Sequence, residues 1–160
     1  MKTLYLDCFC GISGDMTVAA LLDAGASSDT ILSSVNALSL EGVAASVEKV
    51  SKQGVQATQF HVGVDPEIHQ PHRHLPDIIR IIDEAPLPEP VKEKAIRTFT
   101  LLGNAEAQVH GVPTEKIHFH EVGAADSIVD IIAANLALHD LKIRRVICSP
   151  LVTGSGAVKC

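Results

Sequence analysis

Two imidazoles and three carboxylates fall within the fifteen residues from Lys116 to Asp130: His118, His120, Glu121, Asp126 and Asp130. If Ile117 to Glu121 is a strand, its side chains alternate between faces. His118 and His120 then project together as a chelating pair while Phe119 turns into the core. Asp126 and Asp130 are four residues apart, so a helix beginning near Asp126 stacks them on one face, one turn above the other. A helix N-terminus beside two histidines and a glutamate can hold a metal ion, and its free backbone amides can also attract an anion. The plainer alternatives are that Asp126 is a first-turn acid favouring the helix dipole and that both histidines are hydrogen-bonded surface residues.

A second concentration is Asp7-Cys8-Phe9-Cys10-Gly11-Ile12-Ser13-Gly14-Asp15, where two glycines let the backbone turn sharply and approach a ligand. Strand, glycine-rich loop and helix make a common phosphate-binding geometry. This stretch nevertheless lacks the Lys-Ser or Lys-Thr of a P-loop and the spacing of a dinucleotide fingerprint. Asp15 at the helix start repels a bare phosphate unless a bound cation bridges the two, and it also reads as a simple N-cap. A third concentration is histidine: His61, His69, His72 and His74 lie within fourteen residues, interrupted by Pro66 and Pro71. Histidine-rich loops often bind metal, functionally or adventitiously, and imidazole suits nickel, zinc, copper and iron alike.

These residues need elements to hold them. Thr3 to Asp7 reads as a central strand, Asp15 to Ala24 as a helix stopped by Gly25, and Asp29 to Leu38 as a second helix. Val43 to Val50 and Val55 to Val64 alternate like two strands of a hairpin turning at Lys52-Gln53-Gly54. Leu75 to Glu84 and Val91 to His110 read as helices separated by Ala85-Pro86-Leu87-Pro88. A helix from Asp126 to Leu141 leads to a last strand, Arg145 to Pro150, close enough in sequence to lie parallel to a central strand. The expectation is one layered α/β domain with a mixed sheet and helices packed on it, and with its candidate sites at the ends of elements.

At 160 residues the chain is one domain's length. Aromatics are only 3% of a composition that is 46% hydrophobic, so the core must be mainly Ile, Leu, Val and Ala. The net charge of −6 and the absence of a basic stripe argue against nucleic acid or an anionic membrane as partner. No apolar run reaches the length of a membrane span, and Asp7 arrives too early for a secretory leader. A cytoplasmic protein whose four cysteines stay as thiols is the expectation. The last residues, Gly154 to Cys160, read as a loop entering a further strand, so the chain is expected to be part of a longer protein.

Three stretches in order resemble the signatures of the LarC nickel-insertion family: Asp7 to Met16, His72-Arg73-His74-Leu75, and His118-Phe-His-Glu-Val-Gly-Ala-Ala-Asp-Ser-Ile-Val-Asp130. The ending Ser149 to Gly156 and Val158 to Cys160 is similar as well, and only Cys10 departs, standing where the family pattern has Ser. The resemblance implies insertion of Ni²⁺ into pyridinium-3,5-bisthiocarboxylic acid mononucleotide with CTP hydrolysis. This is a lyase-type nickel chelatase step of cofactor synthesis for a lactate-racemase type of enzyme. It also implies that residues 1–160 are an N-terminal part. CTP and its divalent cation belong to a missing C-terminal part, a homo-oligomer is expected, and whether this chain acts alone stays open. On that basis His118 and His120 would hold the nickel, with Glu121 as ligand or as acceptor of the ring proton, and His72 and His74 would bind it as the arm that delivers it. Asp126 and Asp15, together with Asp7, would hold a second cation or nickel-bound water, while Gly11, Ser13 and Gly14 would take the substrate's phosphate. Two other classes fit the residues alone: a nickel-storage or metallochaperone module, and a metal-dependent phosphohydrolase.

Overall fold

The computed structural model describes residues 1–71, 73–117, 119, 123–152 and 156. The chain runs β1 (Lys2–Leu6), α1 (Gly14–Asp23), α2 (Ser28–Asn36), β2 (Val43–Lys52), β3 (Val55–Val64), α3 (Leu75–Glu84), α4 (Glu89–His110), α5 (Ala125–Asp140) and β4 (Ile143–Cys148), with a 3-10 turn at Thr114–Lys116. The class is mixed α/β, as expected. Its parallel and antiparallel pairings belong to two separate two-stranded sheets, β1 with β4 and β2 with β3.

The hairpin turns at Gln53 and Gly54, whose φ angles of 52° and 81° suit the right-handed twist of the flanking strands. Its register sets Val43 opposite Val64 and Lys52 opposite Val55. Only one face is lined by core residues, including Ala45 and Phe60, so alternation rather than continuous apolarity marks both strands. The parallel pair sets Leu6 beside Cys148, joining the two ends of the described chain.

Helix α5 is the centre of the molecule. Ala125, Ile128, Val129, Ile132, Ala133, Leu136 and Ala137 are buried along it, and it packs against α1, α2, α4 and β3. An apolar stripe this wide is that of a helix covered on several sides. Among the described residues the other long helix is α4, which ends on Gly111 in the left-handed conformation (φ 65°), the stop that its sequence announces. Gly103 within α4 lets the Phe119 ring come close: a β-carbon there would stand 3.3 Å from Phe119 Cζ. Phe119 also meets Phe99 edge to face with ring centroids 6.4 Å apart. Phe119 is therefore in the core, as its place between two histidines predicts, although Ile117 and Phe119 both lie outside any strand.

Candidate functional site

Four of the expected ligands, His72, His118, His120 and Glu121, lie outside the described residues. Their chain neighbours are described, and these bind the two histidine segments to each other. His74 starts α3: its backbone N–H donates to the Asp77 carboxylate (3.0 Å), and Pro76 fits the first turn, where no amide partner is needed. Its ring Nδ1 stands 2.9 Å from the Ile117 carbonyl oxygen, which can only accept, so Nδ1 carries a proton and donates it to that carbonyl. A backbone carbonyl holding Nδ1–H is the usual means of fixing a ligating imidazole. Next to it the buried Arg73 guanidinium donates to the Gly123 carbonyl (3.4 Å) and to Gln70 Oε1 (2.9 Å). Burial pulls the Arg73 pKa down, and the Asp77 charge partly offsets this. Gly123 is required by close approach, since a β-carbon would lie 2.7 Å from Phe119 Cβ and 2.9 Å from its carbonyl oxygen.

The first turn of α5 then leads from this junction to a second cluster. Asp126 and Asp130 share a cavity of about 430 Å³ with Ser13 and Asp15 from α1 and its N-cap, and with Phe60 and His61 from β3. Ser13 Oγ donates to Asp15, whose carboxylate also accepts the Met16 amide at 2.8 Å. Gly14 is fitted against Asp130: a β-carbon there would stand 2.5 Å from Asp130 Oδ2 and 2.6 Å from its Cβ. Asp130 Oδ1 is buried without a hydrogen-bond partner. Burial, then the charges of Asp15 and Asp126, push the Asp130 carboxyl up to about 6, against a smaller opposing hydrogen bond from the Asp15 backbone.

The stacking of Asp126 and Asp130 and the position of Asp15 at a helix start are as the spacing predicts. Asp7 stands apart from them, lining a different cavity with Cys8, Gly11, Ile12 and Met16. The loop Gly11 to Gly14 delivers its helix end to carboxylates, so an anion there needs a cation between them. His69 is exposed and borders another cavity with Glu41 and Arg73. Sequence reasoning gave no role to Arg73, none to Asp130 beyond its stacking on Asp126, and placed His61 with the histidine loop rather than with the carboxylates. An arginine between two histidines was the available signal for the first; for the other two the contacts span long separations. Among the described residues no three His, Cys, Asp or Glu side chains are grouped closely enough to hold a metal ion by themselves.

The sign of the Asp130 perturbation gives a direct expectation. Its folded pKa lies above the ordinary 3.8, so its contribution favours folding at low pH and is lost as pH rises through about 6. The three groups facing it are Asp15, Asp126 and His61. Asp130→Asn removes the ionisable group while keeping an oxygen for the Asp15 amide. We expect it to stabilise the metal-free chain above pH 6 by about 1 kcal/mol, after discounting for solvent screening of a half-exposed group, and to do little at pH 4. Urea midpoints measured across pH check this, and a variant destabilised at pH 8 would refute it.

The family of nickel insertion proteins matches residues 4–160, and the chain belongs to it. It is 47% identical to the pyridinium-3,5-bisthiocarboxylic acid mononucleotide nickel insertion protein of Geobacillus kaustophilus, over 100% of this chain and 41% of that protein. The proteins of the same description from Desulfitobacterium hafniense and Staphylococcus epidermidis are 48% and 44% identical, over 99% and 98% of this chain and 39% of each of theirs. The chain thus spans about two fifths of the length of these relatives. No solved structure matches. Among the described residues no helix is long and apolar enough to cross a membrane.

Proposed function

We propose that this chain is the nickel-capturing part of a protein that inserts Ni²⁺ into pyridinium-3,5-bisthiocarboxylic acid mononucleotide, the activity named for its relatives. The observation that carries this reading is the tie of His74 Nδ1 to the carbonyl of Ile117 and of Arg73 to that of Gly123. These bonds tie His74 and Arg73 to the carbonyls of Ile117 and Gly123, the residues that precede and follow His118 to Val122 in sequence. Nickel is the cargo here. Imidazoles and a carboxylate bind it as exchangeable ligands, in contrast to the tighter hold of a thiolate cluster. In this reading His118, His120, His72 and His74 receive the ion, and Glu121 either ligates it or takes the proton that the pyridinium ring loses as the nickel–carbon bond forms. Asp15 and Asp126, beside Asp130, contribute to a second cation site that only the substrate's phosphate completes, since these carboxylates do not form a ligand set by themselves, and the phosphate reaches Gly11, Ser13 and Gly14 through that ion. CTP, its divalent cation and any self-association belong to the rest of the relatives' length, and the reaction in full requires that part. The action is cytoplasmic and of the lyase type.

Calorimetry with Ni²⁺, with and without the mononucleotide, tests the reading. The His118→Ala/His120→Ala variant should lose the tight site that His69→Ala/His72→Ala only weakens. Loss in neither would end the assignment. In the presence of CTP and the relatives' remaining portion, Glu121→Gln should bind nickel and fail to form the nickelated mononucleotide; full conversion would end the base role. Uptake of several Ni²⁺ ions with the mononucleotide left unchanged would instead make this a storage or metallochaperone module.

A further inference from the structure

The end of the parallel strand pair brings two thiols together that the reading above does not use. Cys8 lies just beyond β1 and is buried at 3% exposure, while Cys148 ends β4 and is exposed. Their sulfurs are 3.8 Å apart although the residues are 140 positions apart in the chain. Backbone bonds fix both: the Cys8 N–H donates to Ser149 Oγ, and the Ser149 N–H donates to the Leu6 carbonyl, each at 2.8 Å.

We propose that Cys8 and Cys148 form a two-thiolate site for a soft or borderline divalent metal ion. With metal–sulfur bonds of about 2.3 Å at a tetrahedral angle, the two sulfurs of such a site are about 3.8 Å apart. The 3.8 Å observed here thus asks for almost no rearrangement. A disulfide would need the sulfurs to close to about 2.05 Å. Burial, then the Cys148 thiol and the Asp7 carboxylate, push the Cys8 thiol up, so an ion binding here has to displace the thiol protons and its uptake should strengthen with rising pH. Met16, whose thioether is a further soft donor, lines the same cavity of about 290 Å³ as Asp7 and Cys8. Binding is balanced as two thiols plus M²⁺ giving the dithiolate complex and two protons. Two protein ligands leave positions open for exchange, which distinguishes this site from a closed four-ligand structural one. The inference stands independently of the histidine assignment.

Co²⁺ alone, added to the reduced chain under anaerobic conditions, is the probe, because thiolate ligation produces a sulfur-to-cobalt charge-transfer absorption that imidazole and carboxylate ligation do not. The chain and the Cys10→Ser variant should show the band saturating at one ion per chain, and so should His118→Ala/His120→Ala. Cys148→Ser, at an exposed position, should lose it, as should Cys8→Ser if that buried replacement folds. A chain without the band overturns the site. So does a band that survives Cys148→Ser or disappears with Cys10→Ser. Air-exposed chain found as a Cys8–Cys148 disulfide that, once reduced, takes up no Co²⁺ would make the pair a redox closure instead and overturn it equally.

Discussion

Gly123→Ala is expected to cost about 2–4 kcal/mol of stability and to break up the junction of the two histidine segments, although it adds a single methyl group. Backbone conformation does not demand glycine at this position, because Gly123 is not among the residues with positive φ. Space demands it. The new β-carbon would meet Phe119 Cβ at 2.7 Å, the Phe119 carbonyl oxygen at 2.9 Å and the Arg73 carbonyl oxygen at 3.4 Å. Two of these are backbone atoms and the third is next to it, so no side-chain rotation relieves the overlap. Phe119 cannot retreat either, because its ring is already seated against Gly103 and Phe99. Phe119 and Gly123 must therefore move apart, pulling on the Arg73 bond to the Gly123 carbonyl. If these segments carry the nickel ligands, the variant that still folds at low temperature should also bind Ni²⁺ more weakly. Gly63→Ala is the control: its nearest backbone neighbour would be the Ala44 oxygen at an ordinary 3.6 Å. Unfolding free energies from denaturant titration within about 0.5 kcal/mol of each other for the two variants would refute the packing argument.

The contrast between these two glycines also shows where the sequence is legible. Local chemistry wrote the helices and the hairpin plainly. The run Leu75-Pro76-Asp77 places proline in the first turn and an acid at its third position, and α3 covers Leu75–Glu84 as read. Gly25 and Gly111 stop α1 and α4 because their positive φ suits a residue without a β-carbon. The junction of α5 and β4 carries no such mark: Lys142 takes φ 57° there, a conformation that nothing in its type announces. A parallel placement of β4 followed from chain order and crossover rules, but its pairing with β1 did not. Nor did the hairpin's forming its own sheet, since which strand edges meet depends on how α1 and α5 fill the space between them. The candidate site divides in the same way. Asp126 over Asp130 is helical arithmetic, whereas Gly14 against Asp130, His61 and Asp15 lining one cavity, and Cys8 beside Cys148 are juxtapositions across the fold that no local period encodes.

Gly14→Ala is the prediction that most sharply opposes local and tertiary reasoning. Gly14 is the first residue of α1, and helix propensity alone favours alanine over glycine, by up to about 1 kcal/mol. Packing points the other way. The added β-carbon would stand 2.5 Å from Asp130 Oδ2, 2.6 Å from its Cβ and 2.8 Å from its Cγ. Rotating the Asp130 side chain can move the oxygen and Cγ but leaves Cβ where α5 holds it, and α5 is buried along its length against the core. The helices must then separate, and overpacking of this kind costs about 1–3 kcal/mol, enough to overturn the propensity gain. The expected result is a chain about 2 kcal/mol less stable. The proof that Asp130 is the cause is a double-mutant cycle. In an Asp130→Gly background, which removes the offending β-carbon, Gly14→Ala should become neutral or slightly stabilising, leaving a coupling energy of about 2 kcal/mol between the two positions. A Gly14→Ala chain more stable than the parent, or a cycle with no coupling, would mean that α1 and α5 are not held at this distance. The carboxylate cluster built across them would then lose its geometric basis. If the coupling appears, the same glycine that looks like a loop-former beside Ser13 has a second purpose. It lets the Asp15 amide and the Asp130 carboxylate approach closely enough to shape one carboxylate-lined cleft between the first helix and the last.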